Sequence, residues 1–332
     1  MKTVKLGKDG PVVSRFGLGC MAMAGTYGPA DNAESIATIR AALDAGVTLI
    51  DTGDFYGMGA NEMLIGEALR GRDRDAVQVS VKFGALRGPD GSWNGYDARP
   101  AAVKNFLAYT LKRLGLDHID IYRPARLDPN VPIEETVGAI REMIDAGYVR
   151  HVGLSEVGPA TIRRAAAEAP VSDLQIEYSV VSRGIEAEIL PVCRELGIGV
   201  TAYGVLSRGM FGGAWKPGSA GTRKGDIRGR MPRYDAENAE RNYALVEALR
   251  KVAAARGLSV AQAAFAWVAA QGDDIVPLMG PRTRAQLEDS LGAADSELAQ
   301  ADLAEIEAAV PKDAVAGDRY NAAQMAMLDS ES

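Results

Sequence analysis

Three residues of this 332-residue sequence have the types and spacing for proton chemistry: Asp51, Tyr56 and Lys82. Asp51 lies near the end of the apolar run VTLIDTG (47–53). Tyr56 follows at once in DTGDFYG, and Lys82 sits near the end of VQVSVKF (77–83). A free phenol ionises at about pH 10, too high for efficient proton transfer at neutrality. A neighbouring ammonium stabilises the phenolate, and a carboxylate keeps that ammonium charged and in place. Such a trio suits protonation of a carbonyl oxygen. More polar residues fall where apolar runs end. Ser155 and Glu156 close YVRHVGLSE (148–156), Gln175 lies in SDLQIEY (172–178), and Tyr203 nears the end of IGVTAYG (198–204). Singly, each is as well explained by solvation or packing; their shared position is the signal.

A second constellation lies in MGPRTRAQLEDSL. Thr283, with Gln286 three residues on, reads as a capping box that starts a helix. Helix amino termini attract phosphate, and Arg282 and Arg284 add two positive charges there. GLGCMA (17–22) matches the loose G-x-G-x-x-A fingerprint. With no helical pattern following, it reads as a close-approach loop rather than a dinucleotide turn.

These residues need a scaffold that gathers strand ends. The runs at 14–20, 47–53, 77–83, 119–125, 148–156, 172–178, 198–204 and 275–280 read as strands. Helix-sized gaps separate them, and none is hairpin-sized, so the strands are expected to be parallel. Eight such units imply a closed α/β barrel, the (β/α)8 TIM fold, with its chemistry at the carboxyl ends of the strands. The whole chain, 1–332, reads as one barrel domain. Residues 1–13 form a hairpin turning at Asp9-Gly10 that plugs the amino-terminal end. The stretch 205–241, rich in Gly, Arg and Pro, is expected as a lid over the site, and 311–332 as a carboxyl-terminal loop. Asp31 and Glu34 read as a capping box, and Pro132 as the first-turn residue of a helix with Ile133, Val137, Ile140 and Ile144 on one face. Cys193 reads as a buried structural thiol.

Composition narrows the function. Lys and Arg number 37 against 44 Asp and Glu, a net charge of −7. That balance argues against nucleic acid or an anionic membrane as partner. Two cysteines and two histidines leave no disulfide scaffold and no zinc cage. The polar start and the absence of a long apolar run read as a cytoplasmic protein without membrane spans, a monomer or small homo-oligomer.

Taken together, GLGCMAM, DTGDFYG, the Lys in VSVKFG, GLSE, TAYGVLSRG and IVPLMGPRTRAQLEDSL resemble the aldo-keto reductase family over nearly the whole chain. The resemblance implies NADPH bound in extended form and hydride transfer to an aldehyde or ketone, or the reverse on an alcohol. It implies Tyr56 as general acid supported by Lys82 and Asp51. Ser155 and Gln175 would hold the nicotinamide carboxamide, and Tyr203 would stack on the ring. Gly19, Cys20 and Met21 would line the cofactor, and Leu206, Arg208 and Gly209 the pyrophosphate. Gly280, Arg282, Gln286 and Asp289 would hold the adenosine and its 2′-phosphate. Tyr27 and Trp93 would line the substrate pocket, with Trp215 a further candidate wall. Glu156 and Ser290 stand where the family commonly has Asn. The family's His before Arg-x-Asp is replaced by Ala125 in IDIYRPARLDPN, and neither His118 nor His151 is placed to substitute. Arg123, on the same strand face, or a water is the expected replacement donor. Two readings compete: a cofactor-binding regulatory subunit of the same fold, and a barrel lyase using Lys82 as a Schiff base.

Overall fold

The computed structural model describes residues 1–331. In chain order the strands are β1 (Thr3–Lys5), β2 (Val12–Ser14), β3 (Gly17–Gly19), β4 (Leu49–Gly53), β5 (Gln78–Phe83), β6 (Ala85–Arg87), β7 (Trp93–Tyr96), β8 (Ile119–Pro124), β9 (Val149–Ser155), β10 (Val171–Glu177), β11 (Gly199–Tyr203) and β12 (Ile275–Met279). The helices most relevant to the site are α1 (Asn32–Asp44), α2 (Ala60–Leu69), α3 (Pro100–Leu114), α4 (Ile133–Asp145), α5 (Pro159–Glu168), α6 (Ile189–Leu196), α7 (Ala236–Ala254), α8 (Val260–Ala269) and α9 (Arg284–Leu291).

Eight parallel strands close the barrel in the order β3-β4-β5-β8-β9-β10-β11-β12. The seam is β12 against β3, with Leu278 opposite Gly17 and Met279 opposite Leu18. Gly17 makes that approach close: a Cβ would stand 2.6 Å from Leu278 Cδ2 and displace that side chain. Helices cover the outside by the usual amphipathic logic. In α4, Ile133, Val137 and Ile140 are buried against the barrel, and Gly147 with φ +84° ends the turn that follows. Each such side chain contributes about 1.5–3 kcal/mol by leaving water.

β1 and β2 pair antiparallel at the amino-terminal end. Leu6 and Val13 enter the barrel there and pack with Leu49, Ile121, Val276 and Leu278, sealing that end. The reversal is not a tight Asp9-Gly10 turn. It spans residues 6–11, with Leu6 N–H donating to Pro11 O at 2.9 Å and Lys8 N–H to Gly197 O at 2.7 Å. The positive φ, +72°, falls at Gly7, where a Cβ would lie 2.2 Å from Ser172 O. Docking to the barrel floor, rather than local turn preference, sets the shape.

Other expectations shift in detail. β6 and β7 form an antiparallel flap in the loop after β5, where no hairpin was expected. The irregular stretch after β11 ends at residue 235, because α7 starts at Ala236. Its buried face includes Asn242, whose amide holds both Ala316 N–H and Ala316 O, and this polar residue breaks the apolar stripe. Neither expected capping box closes, the first because of a tertiary contact and the second because of a local one. Asp31 accepts from Glu34 N–H at 2.8 Å, but the Glu34 carboxylate pairs with Arg284 at 2.9 Å, tying α1 to α9. Thr283 caps α9, while Gln286 Oε1 accepts from Arg282 N–H at 2.8 Å. Among the described residues no helix is long and apolar enough to cross a membrane.

Candidate active site

The carboxyl rim opens into a cavity of about 490 Å³ lined by Asp51, Tyr56, Lys82, Ala125, Ser155, Gln175 and Tyr203, among others. These residues lie on, or just beyond the ends of, six neighbouring strands, so barrel closure is what brings them together. Asp51, Lys82 and Gln175 form a buried triangle. The Lys82 ammonium donates to Asp51 Oδ1 and, at 2.9 Å, to Gln175 Oε1; Gln175 Nε2 donates to Asp51 Oδ2 at 2.7 Å. Burial pulls the Lys82 ammonium below its ordinary range, and Asp51 opposes that pull.

Tyr56 stands above the triangle, with Lys82 Nζ 5.2 Å from its ring centroid. The expected acidification by Lys82 is outweighed, because the ammonium is shared with Asp51 and Gln175. Burial, then the Asp51 carboxylate, pushes the Tyr56 phenol well above its ordinary range, and Arg126 and Arg208 act in the other direction. The hydroxyl therefore keeps its proton at neutral pH.

Arg123 does not reach the cavity. It is fully buried, with Nη1 on Asp173 at 2.8 Å and Nη2 on Ser80 Oγ at 2.9 Å. Arg126, three residues on and past the end of β8, lines the cavity instead. Cys20 is also absent from the cavity wall. Its side chain is fully buried in the core, its N–H donates to Asp51 O, and its carbonyl accepts from Asn61. Its neighbours Gly19 and Met21 do face the cavity. Arg284 is drawn away to Glu34, leaving Arg282 as the cation of that loop in the cavity.

Leu206, Arg208, Gly209, Gly280, Arg282, Gln286 and Asp289 form the long arm of the cavity. Arg223 and Arg228, from the stretch after β11, join them. Burial lowers the Arg282 pKa, the nearby charges of Arg223 and Arg228 lower it further, and Asp226, paired with Arg228, opposes them. Ser155 Oγ is buried without a partner among the described residues. This arm and the orphaned hydroxyl fit a phosphorylated, amide-bearing dinucleotide. Tyr27, Trp93 and Trp215 all line the cavity. Trp93, on the flap, meets Phe55 and Tyr96 edge-on at 5.9 and 5.4 Å. Among the described residues no group of three or more His, Cys, Asp or Glu is arranged to hold a metal ion.

The carboxyl-terminal segment enters the site from far along the chain. Glu156, at φ +53°, holds Arg319 through two bonds of 2.9 and 2.6 Å and accepts from Tyr203 OH at 2.6 Å and Ser330 Oγ at 2.8 Å. Although burial opposes it, Arg319 draws the Glu156 carboxyl down to about 2. This clamp sets Tyr320 in the cavity, with its hydroxyl 2.5 Å from Arg208 Nη2 and 3.0 Å from Tyr203 OH. Local sequence patterns carry no sign of Arg126, Arg319 or Tyr320. Only the Arg-rich composition of the stretch after β11 hinted at Arg223 and Arg228.

A closed (β/α)8 barrel with an acid–base cluster at its carboxyl rim is the architecture of a barrel enzyme. The aldo/keto reductase family profile matches residues 15–311. The chain belongs to that family, an oxidoreductase family that acts on small-molecule carbonyl compounds and generally uses nicotinamide cofactors. It is 42% identical over 323 residues to "Probable aldo-keto reductase 1" of Glycine max, covering 96% of this chain and 92% of that protein. Among solved structures it is similar to the glycerol dehydrogenase AKR11B4 from Gluconobacter oxydans, with a TM-score of 0.83, 28% identity, and coverage of 93% of this chain and 96% of that one. It is also similar to the aldo-keto reductase AKR11C1 from Bacillus halodurans in its holo form, with a TM-score of 0.76, 25% identity and the same coverage.

Proposed function

We propose that this protein reduces an aldehyde or ketone to the alcohol with NADPH, or runs the reverse oxidation, with Tyr56 as the general acid. One observation carries the reading: Tyr56, the Asp51–Lys82–Gln175 triangle and the orphaned Ser155 hydroxyl face one cavity whose far arm is cationic. The reduced nicotinamide supplies the hydride when bound. Ser155 and Gln175 would hold its carboxamide, Tyr203 would stack on its ring, and Leu206, Arg208 and Gly209 would line the pyrophosphate. Arg282, supported by Arg223 and Arg228, would meet the 2′-phosphate that distinguishes NADPH from NADH, since a guanidinium fork matches a phosphate.

The Tyr56 phenol, held protonated by burial, gives its proton to the carbonyl oxygen as negative charge grows there. The charged Lys82 below it then stabilises the phenolate left behind, and Asp51 keeps that ammonium in place. Ala125 stands where the family has its His. Turnover of a small aldehyde, followed as loss of NADPH absorbance, tests the reading. Tyr56→Phe is expected to lower kcat by about 10²–10⁴. A Tyr56→Phe protein that turns over like the parent ends the proposal. Arg282→Met is expected to weaken NADPH far more than NADH.

A further inference from the structure

Resting on the reductase reading above, we propose that Arg126 is a catalytic residue: its guanidinium donates to the substrate carbonyl oxygen from the side left bare by the methyl group of Ala125. Ala125 and Arg126 line the same cavity as Tyr56. Of its five N–H groups, Arg126 uses one on Ala125 O at 2.6 Å and shares another with Tyr320 OH at 3.5 Å. No carboxylate stands within ion-pair distance of it among the described residues. A half-buried guanidinium with free donors and no counter-ion is costly to maintain unless something at the site meets it.

Of the other cations at this end of the barrel, Arg223 and Arg282 belong with the cofactor phosphate in the reading above, Arg228 is bound to Asp226, and the following are committed. Arg123 is bound to Asp173 and Ser80. Lys82 is bound to Asp51 and Gln175, and Arg208 to Glu177 at 3.2 Å and Tyr320 at 2.5 Å. His118 sits just before β8, at the opposite end of the barrel, with Nδ1 on Asp117 at 2.6 Å. Arg126 is thus the cation that remains available beside the phenol. Its charge also favours ionisation of Tyr56; burial opposes the charged guanidinium, and Glu156, beyond ion-pair distance, favours it.

Tyr320 is the positioning residue. Its hydroxyl lies between Arg208 and Arg126, and the Glu156–Arg319 clamp fixes the segment that carries it. The reduced nicotinamide, when bound, would supply a hydride to the carbonyl carbon and be left oxidised by loss of that C–H pair, while the C=O π pair moves onto oxygen. The Arg126 N–H groups hold that growing charge until the Tyr56 proton bonds to the oxygen, leaving the phenolate to be reprotonated from solvent.

The test compares Arg126→Met, Arg126→Lys, Ala125→His, Tyr320→Phe and the double variant Ala125→His/Arg126→Met, with 4-nitrobenzaldehyde and NADPH. Arg126→Met is expected to lower kcat by about 10²–10³, as loss of one oxyanion donor does elsewhere, with KM moving less. Ala125→His is expected to restore at least about tenfold (~1.4 kcal/mol) in the Arg126→Met background. Tyr320→Phe should fall between the parent and Arg126→Met. A second arm needs no cofactor. The Tyr56 phenolate is titrated by ultraviolet difference against Tyr56→Phe, and Arg126→Met should move its midpoint upward. Turnover of Arg126→Met within about fivefold of the parent, or no rescue by His at 125, overturns the proposal, as does an unmoved phenolate titration. Failure of the reductase reading looks different: no aldehyde turnover by the parent protein, or none lost in Tyr56→Phe.

Discussion

Two buried ion pairs sit side by side in this barrel, and only one of them meets the cavity. Lys82–Asp51 faces the cavity; Arg123–Asp173 lies deeper, with both side chains fully inaccessible to solvent. Ser80 joins them, donating to Asp51 Oδ2 at 2.9 Å and accepting from Arg123 at 2.9 Å. The deeper pair is nearly saturated: Asp173 also accepts from Thr201 and Ser172, and Arg123 reaches Leu154 O. The upper pair keeps an open side toward Tyr56. Burial and charge are alike in both; what differs is whether a reacting group can approach. A buried ion pair thus marks chemistry only where a cavity touches it.

This contrast can be broken by mutation. Lys82→Met is expected to lower kcat/KM by about 10³, since it removes the charge beneath the phenol and leaves Asp51 unpaired; steady-state kinetics measures it. Arg123→Met is expected to lower the unfolding free energy by about 3–5 kcal/mol in urea, because Asp173 is left as an unpaired buried charge. Adding Asp173→Leu should recover most of that loss. If Arg123→Met instead cuts turnover per folded molecule as deeply as Lys82→Met, the deeper pair is catalytic and the distinction fails.

The smallest effect concerns a third, poorly satisfied group. Asp54 and Glu62, beside the Tyr56 loop, each keep a buried carboxyl oxygen without a partner. Burial, then Glu62, raises the Asp54 carboxyl from its ordinary 3.8 to about 7. The folded protein therefore binds this proton across that interval while the unfolded chain has released it. Stability from this source is present below pH 4 and is lost as pH rises toward 7. Asp54→Asn should flatten that slope in urea melts taken at a series of pH values.

The barrel, its strand ends and the cluster at Asp51, Tyr56 and Lys82 were legible in the sequence because each depends on local alternation or on a short motif. The donor proposed here, Arg126, was not. Alternation correctly places Arg123 and Ala125 on one strand face, but facing inward is not reaching the rim. The chain leaves β8 at Pro124, so the alternation stops and Arg126 turns in from a position that strand periodicity assigns to the other face. The Glu156–Arg319 clamp joins residues far apart in sequence, which no periodic pattern records. The Asp31 capping box failed for the same reason: Glu34 has a distant partner that the local motif does not anticipate. α7 began earlier than expected because its buried Asn242 serves the carboxyl-terminal segment rather than the core.

The seam of the barrel has a consequence for biosynthesis. Its first strand, β3, waits next to an empty edge until β12 arrives, because the join is made between Gly17–Leu18 and Leu278–Met279. A ribosome must therefore release most of the polypeptide before the ring can shut, and until then the nascent chain exposes two strand edges open to wrong pairing. The Glu34–Arg284 bond between α1 and α9 then fastens that same join from outside.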